Sequence, residues 1–260
     1  MKKVCFIPAR YQSSRLPGKP LLKIAGISVI NRVYLQVKKC KYVDDIIVLT
    51  DDIRIKQEVE SIGGKAELVL DDCLNGTERI IKFIQKYIDI CDLVINVQGD
   101  EPYINPIHID LCIQNYFKEK YNIELNVLQT QFHNKEDMKC STLCHVLKTD
   151  ELKNRSIGKL VINKNSDIMY CSRNIIPGGK NSEINPNSTY YGHIGVFVFD
   201  KEYLLNEFIK ENTEHQLNED IEWLKIIEQG YRISVIKVDN PEKGIDTEED
   251  YKYFIEKYNI

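Results

Sequence analysis

Ile7-Pro8-Ala9-Arg10-Tyr11-Gln12-Ser13-Ser14-Arg15-Leu16-Pro17-Gly18-Lys19-Pro20-Leu21 is the stretch from which the rest of the chain can be read. An apolar strand candidate, Val4–Ile7, runs straight into a loop carrying Arg10, Arg15 and Lys19. Three cations at the end of a strand make a poor core. They make a good cradle for a polyphosphate, because backbone amides together with Arg and Lys neutralise clustered negative charge. Gly18 lets the backbone approach a ligand closely, and Pro8, Pro17 and Pro20 stiffen the loop. The run is not a GxxxxGK[ST] phosphate loop. A solvated basic loop has the same composition, so composition alone leaves both readings open.

Working outward, ten basic residues and no acidic one precede Asp44, although the 260-residue chain carries 35 Lys and Arg against 39 Asp and Glu, a net charge of −4. That balance argues against broad nucleic-acid binding and makes any anion site local. The length suits one large α/β domain, or one with an appended lobe. Eight cysteines (5, 40, 73, 91, 112, 140, 144 and 171) lie in apolar stretches, with no CxxC pair and no zinc-like spacing. They read as buried free thiols of a reducing compartment. The apolar stretch after Met1-Lys2-Lys3 is too short for a signal-peptide core, and no run approaches membrane-spanning length. The expected location is the cytoplasm, with no membrane partner.

Strand candidates at Val4–Ile7, Asp45–Thr50, Ala66–Leu70 and Leu93–Val97 alternate with helix candidates near Ser28–Lys39, Ile53–Ile62 and Thr77–Ile88. Short Val- and Ile-rich runs separated by helices predict a doubly wound, mainly parallel sheet, with ligands at the carboxyl ends of its strands. Three loops lie there: 8–19, 71–79 and 98–105. After about residue 125 the pattern changes. Strand-like segments at Glu124–Gln131, Cys144–Leu147, Leu160–Ile162, Ile168–Tyr170 and Ile194–Phe199 have shorter, polar connections and predict a smaller mixed lobe. A helix near Asn218–Gln229, a strand near Arg232–Val238 and a helix near Thr247–Tyr258 end the chain. The expected organisation is one domain over 1–260: a ligand-binding half (1–125), a second lobe (126–240), and a turn and helix (241–260).

In the fourth-strand loop, Gln98-Gly99-Asp100-Glu101-Pro102 puts a carboxylate at a strand's end opposite the cationic loop. That is where a hard cation would sit, and Asp100 is the expected ligand. Gly-Asp and Glu-Pro are also ordinary turn formers. Asp246-Thr247-Glu248-Glu249 reads as a helix start, with Asp or Thr capping. In Asn75-Gly76-Thr77-Glu78-Arg79, Gly76 permits close backbone approach and Thr77 is a candidate helix cap. Arg173 follows an apolar run, where a carboxylate ligand would pair with it through two hydrogen bonds. His108, His133, His145 and His215 read as structural.

Ile7–Leu21 closely resembles the N-terminal signature of the 3-deoxy-manno-octulosonate (Kdo) cytidylyltransferases. The resemblance continues, in order, through Asn75–Arg79, Asn96-Val97-Gln98-Gly99-Asp100-Glu101-Pro102, Tyr170-Cys171-Ser172-Arg173, His193-Ile194-Gly195-Val196 and Gly244-Ile245-Asp246-Thr247-Glu248-Glu249-Asp250. Blocks in order over nearly the whole chain are far more specific than any single one. The resemblance implies a Rossmann-like nucleotidyltransferase fold, Mg²⁺ as cofactor, CTP and a 2-keto-3-deoxy sugar acid as substrates, and a homodimer formed through the second lobe. It implies that Pro8, Ala9, Arg10, Arg15, Lys19, Asn75, Gly76, Thr77, Arg79 and Gln98 hold the nucleotide. Arg10, Arg15, Lys19 and Asp100 would be catalytic, and Asp100 and Asp246 would hold the metal. Gln98, Tyr170, Arg173, His193 and Glu222 would hold the sugar acid.

Two departures fall on the sugar side. Trp223 stands where the family shows a glutamine, and Gly178-Gly179-Lys180 replaces a charged segment after Ile176-Pro177. They leave open a related acid, such as 8-amino-Kdo or a nonulosonic acid. A catalytically silent binding protein on the same fold is disfavoured by Lys19, Asp100 and Asp246. A dinucleotide-dependent oxidoreductase is disfavoured by the missing GxGxxG.

Overall fold

The computed structural model describes residues 1–12, 16–122, 136–179 and 184–258. The chain forms two compact units, Met1–Asp110 with Pro241–Ile260, and Leu111–Asn240.

The first unit opens with β1 (Lys3–Ala9), a hairpin of β2 (Lys23–Ile24) and β3 (Ile27–Ser28), and α1 (Val29–Val37). It continues through β4 (Asp45–Thr50), α2 (Ile53–Glu60), β5 (Ala66–Leu68), α3 (Gly76–Lys86) and β6 (Leu93–Val97). The chain leaves this unit within α4 (Pro106–Tyr121). The strands lie in the order β6-β1-β4-β5, all parallel, with Ala9 opposite Thr50 and Phe6 opposite Asn96. All five residues of β6 and six of the seven in β1 are buried, as near-continuous apolar runs require when both faces of a sheet are covered. Because the strands are parallel, the loops after Ala9, Thr50 and Val97 all leave the same edge of the sheet.

The second unit holds β7 (Met138–Val146), β8 (Lys159–Ile162), β9 (Ile168–Ser172) and β10 (Tyr191–Asp200). After these come the single turn α5 (Lys201–Tyr203), the short helices α6 (Glu214–Glu219) and α7 (Leu224–Glu228), and β11 (Arg232–Lys237). β7 pairs antiparallel with β10 and parallel with β11, and β8 pairs antiparallel with both β10 and β9. This is the mixed sheet that the second half of the sequence predicts.

Three local readings change. The helix expected near 218–229 is broken: Asp220 adopts a left-handed backbone (φ 53°), and the chain then turns to bury Ile221, Trp223 and Leu224. The strand predicted at Cys144–Leu147 starts earlier, at Met138. Helix α4 gives no clean amphipathic signal because it buries Ile109, Cys112, Ile113, Tyr116 and Phe117 and also a cation. The Lys120 ammonium lies 2.7 Å from the Asp200 carboxylate and 3.0 Å from the Met138 carbonyl. The strand predicted at Glu124–Gln131 lies outside the described residues. Among the described residues, no helix is long and apolar enough to cross a membrane.

The last helix, α8 (Glu248–Tyr258), belongs to the first unit. Phe254 is fully buried with Ile24, Val29 and Ile245. Tyr103 stacks on Phe254 (5.1 Å between centroids) and on Tyr258 (4.0 Å). Docking α8 in this way fixes the turn before it, where the Ile245 amide donates to the Asp100 carbonyl at 2.8 Å. Phe254→Ala should therefore cost about 3–5 kcal/mol of stability, the usual effect of emptying a large aromatic site. Urea unfolding measures it, and a loss below about 1 kcal/mol would contradict this docking.

Candidate active site

The loop after β1 turns at Gly18, whose left-handed backbone (φ 70°) precedes the short helical turn Lys19–Leu21. A side chain there would be strained, and its Cβ would lie 3.2 Å from the Tyr11 ring. The turn aims Lys19 at the loop after β6. Its Nζ donates to Asp100 Oδ2 at 2.8 Å and to the Ile245 carbonyl at 2.7 Å, and lies 3.7 Å from Asp246 Oδ1. One ammonium thus gathers three chain segments separated by up to 226 residues. Gly99 makes the approach feasible, since a Cβ there would lie 2.8 Å from the Pro8 carbonyl.

Asp246 is not the cap of α8. Thr247 and Asp250 cap it reciprocally: Asp250 Oδ2 accepts from the Asp246 and Thr247 amides, both at 3.0 Å, and Thr247 Oγ1 accepts from the Asp250 amide at 3.2 Å. The Asp246 carboxylate is thereby turned to Lys19. The carboxylates of Asp100 and Asp246 are 30% and 31% exposed, against 12% for Lys19, so they present oxygen to solvent while the ammonium lies beneath.

These residues fit Mg²⁺. One positive and two negative charges leave the cluster negative, and two partly exposed carboxylates are the hard-oxygen set that Mg²⁺ takes alongside phosphate and water. Among the described residues, no group of three or more His, Cys, Asp and Glu offers a fuller protein cage.

The predicted nucleotide residues divide by environment. Pro8 and Ala9 are buried at the end of β1, and Arg10 is exposed beyond them. Arg15 lies outside the described residues. Gln98 is partly buried, and its carbonyl accepts from the Glu101 amide at 3.3 Å. Asn75, not Thr77, caps α3, its Oδ1 accepting from the Glu78 amide at 2.8 Å. Thr77 is fully buried and accepts from Asn96 Nδ2 at 3.2 Å. Gly76 lies against the Pro8 ring, so the 75–79 segment sits beside the first loop. Arg79 is 6% exposed and donates inward, to the Val69 carbonyl at 2.7 Å and to Asp51 Oδ2 at 3.2 Å.

In the second unit, the Arg173 guanidinium donates to the carbonyls of Arg155 (3.2 Å), Ser156 (3.1 Å) and Asp220 (3.0 Å). The neighbouring carbonyls of Asn154 and Ile157 accept from Lys159, so two cations grip four successive carbonyls. His193 Nε2 lies 2.9 Å from Thr142 Oγ1, and that hydroxyl donates to the Val196 carbonyl at 2.7 Å. With its proton engaged, the hydroxyl accepts from Nε2–H, which leaves Nδ1 as the acceptor. Burial, with His145 and Arg173 nearby, pushes the His193 pKa down to about 3. The Trp223 ring lies 5.1 Å from the His193 ring, centroid to centroid, and is 4% exposed. Tyr170 and Glu222 are partly buried, with Tyr170 edge-on to His215 at 5.9 Å.

Sequence reasoning missed Asp51, whose Oδ1 accepts from the Tyr11 amide at 3.1 Å. It also missed the Ile245 carbonyl, which no side-chain motif can reveal. Asp51 directly follows an apolar strand, and that position was the available signal.

Comparison with known proteins gives a consistent result. A family model described as cytidylyltransferase matches residues 4–237. The 3-deoxy-manno-octulosonate cytidylyltransferase of Parabacteroides distasonis is 38% identical over 253 residues, covering 96% of this chain and 95% of that protein. The enzyme of the same name from Protochlamydia amoebophila is 35% identical over 246 residues, covering 94% and 89%. A solved structure of CMP:2-keto-3-deoxy-manno-octonic acid synthetase complexed with CTP superposes with a TM-score of 0.84 at 32% identity, covering 98% of each chain. With matches of this length and identity, the chain belongs to the 3-deoxy-manno-octulosonate cytidylyltransferase family.

Proposed function

We propose that this protein transfers CMP from CTP to the anomeric hydroxyl of 3-deoxy-manno-octulosonate, releasing diphosphate. The observation that carries the reading is the Lys19 ammonium held against Asp100 and Asp246 at the carboxyl edge of the parallel sheet. The family membership and the CTP-bound relative support the choice of nucleotide.

The chemistry is an in-line attack of the sugar hydroxyl on the α-phosphate. It needs no protein nucleophile, so catalysis is positioning and charge stabilisation. Asp100 and Asp246 would hold Mg²⁺, which when bound supplies charge to the phosphates and raises the acidity of the attacking hydroxyl. Arg10 and Lys19, together with Arg15, neutralise the triphosphate and the departing diphosphate. Pro8, Ala9, Asn75, Gly76 and Gln98 line the nucleotide's path. Thr77 and Arg79 act from beneath, as supports for the segment that reads the base.

Recognition of the sugar acid falls to Gln98, Tyr170, Arg173, His193 and Glu222. Arg173 is engaged by three carbonyls, so a sugar carboxylate would share its guanidinium with them. His193, neutral and with Nδ1 as acceptor, suits a sugar hydroxyl rather than the carboxylate. The second reading, a related acid such as 8-amino-Kdo or a nonulosonic acid, rests on Trp223, which packs on His193 where the family shows a glutamine. The nucleotide-binding half is 1–125, and the sugar-binding and dimerisation lobe is 126–240. We assign a homodimer in the cytoplasm. Eight free cysteines, six of them buried, suit a reducing compartment.

The deciding experiment is diphosphate release with each of four NTPs crossed with Kdo and related sugar acids. CTP with Kdo should give the highest kcat/KM, and equal rates with all four NTPs would defeat the reading. Asp100→Asn should lower kcat at millimolar Mg²⁺ by at least about 100-fold, the scale of losing a main electrostatic element. A near-normal kcat would remove the metal role of Asp100. Lys19→Ala should raise the KM for CTP or lower kcat by about tenfold or more, and unchanged values of both would remove its phosphate role.

His193 gives a pH prediction. Its folded pKa lies below the unfolded value of about 6.5, so its contribution to stability is intact above that pH and is lost as pH falls toward 3. NMR of the ring should show a neutral imidazole at pH 5. A charged ring at that pH would contradict the hydrogen-bond assignment.

A further inference from the structure

Asp51 joins two loops at the carboxyl edge of the first unit's sheet. It follows β4, which lies beside β1, so it stands next to the chain leaving that strand. Its two oxygens are used differently. Oδ1 accepts from the Tyr11 backbone amide at 3.1 Å, and Oδ2 accepts from the Arg79 guanidinium at 3.2 Å. Arg79 reaches it from α3, the helix that begins at Gly76, and its other terminal nitrogen donates to the Val69 carbonyl.

Tyr11 in turn controls the turn that presents Lys19. The Gly18 amide donates to the Tyr11 carbonyl at 2.9 Å, and Gly18 lies against the Tyr11 ring. The Arg54 guanidinium covers that ring at 3.7 Å while pairing with Asp52. A backbone amide held on one side by a carboxylate and a carbonyl held on the other by Gly18 leave Tyr11 little freedom. The chain of contacts runs from Arg79 through Asp51 and Tyr11 to Gly18 and then Lys19.

We propose that Asp51 is a positioning residue for CTP: it sets the Lys19 turn and the 75–79 segment in register with each other, without itself touching the nucleotide. This deepens the functional reading above and rests on it. Removing the carboxylate takes the acceptor from the Tyr11 amide and leaves the buried Arg79 charge without its counter-ion. The nucleotide should then meet a displaced Lys19 turn, while sugar recognition is unaffected. A residue that only stabilised the fold would lower the melting temperature and leave the folded enzyme's constants alone.

The test is Asp51→Ala, assayed well below its melting temperature. The KM and the calorimetric Kd for CTP should rise about tenfold, the effect of one hydrogen bond to a charged group, with the KM for the sugar acid unchanged. CTP constants within twofold of wild type in a folded D51A enzyme would overturn the proposal, as would an equal rise in both KM values. Hydrogen exchange of the Tyr11 amide in the wild type gives a second readout that does not require the variant to fold. The amide should be protected, and exchange at the rate of an open peptide would overturn the proposal. Wild type that binds no CTP would remove the functional reading and this proposal together. Wild type that binds CTP, with a D51A that binds it equally well, would remove only this proposal.

Discussion

An ammonium wedged against two carboxylates is the constraint on which the first unit's architecture turns. Lys19 lies 12% exposed, and burying it alone would be costly. Asp100 and Asp246 compensate its charge and bring together three segments far apart in the chain. The cluster is net negative, which is the wrong sign for a triphosphate. A divalent cation would reverse that sign, so under the proposed function the carboxylates would suit the polyanion only with a metal and the lysine as partners. The same arithmetic explains why Asp246 must not be consumed as a helix cap. Thr247 and Asp250 take over that task, and the aspartate one residue earlier is directed to the cluster.

The parallel sheet supplies the geometry. β1, β4 and β6 end at one edge, so the 8–19 loop, Asp51 and the 98–100 turn all start from the same place. α8 then returns the C-terminal segment to this unit through Phe254, Tyr103 and Tyr258, and the Ile245 carbonyl arrives at Lys19 as a result. Packed against Ile245, the aromatic stack determines where the neighbouring Asp246 stands.

The parts legible in the sequence were those encoded locally. Val4–Ile7 followed by cations, Leu93–Val97 followed by Gln-Gly-Asp, and the alternating strands and helices of the first half each carry their meaning within a dozen residues. Asp246 was ambiguous because the same four residues read as a helix cap and as a proposed metal ligand, and the direction of the side chain excludes the cap. Thr77 was expected to be a cap, but the hydroxyl is buried on Asn96, because the preceding Asn75 is the stronger cap. α4 was not visible, because a helix that buries Lys120 against Asp200 shows no polar face where one is expected. The break at Asp220 depends on a left-handed residue other than glycine, which no composition rule signals.

Asp51 illustrates a deeper limit. Its importance follows from which strand neighbours β1, and that is a property of topology rather than of local sequence. The sheet order β6-β1-β4-β5 puts the first loop between two others, one reached through Asp100 and one through Asp51. The loop is therefore held on both flanks by carboxylates. The Asp100 flank accepts from a side chain, the Lys19 ammonium, whereas the Asp51 flank accepts from a backbone amide and a buried arginine. A cationic loop that, as proposed, receives a flexible, highly charged ligand would gain from this arrangement. One carboxylate holds its lysine in place and the other holds the backbone still, so under the proposed function less ordering would remain to be done when the nucleotide arrives.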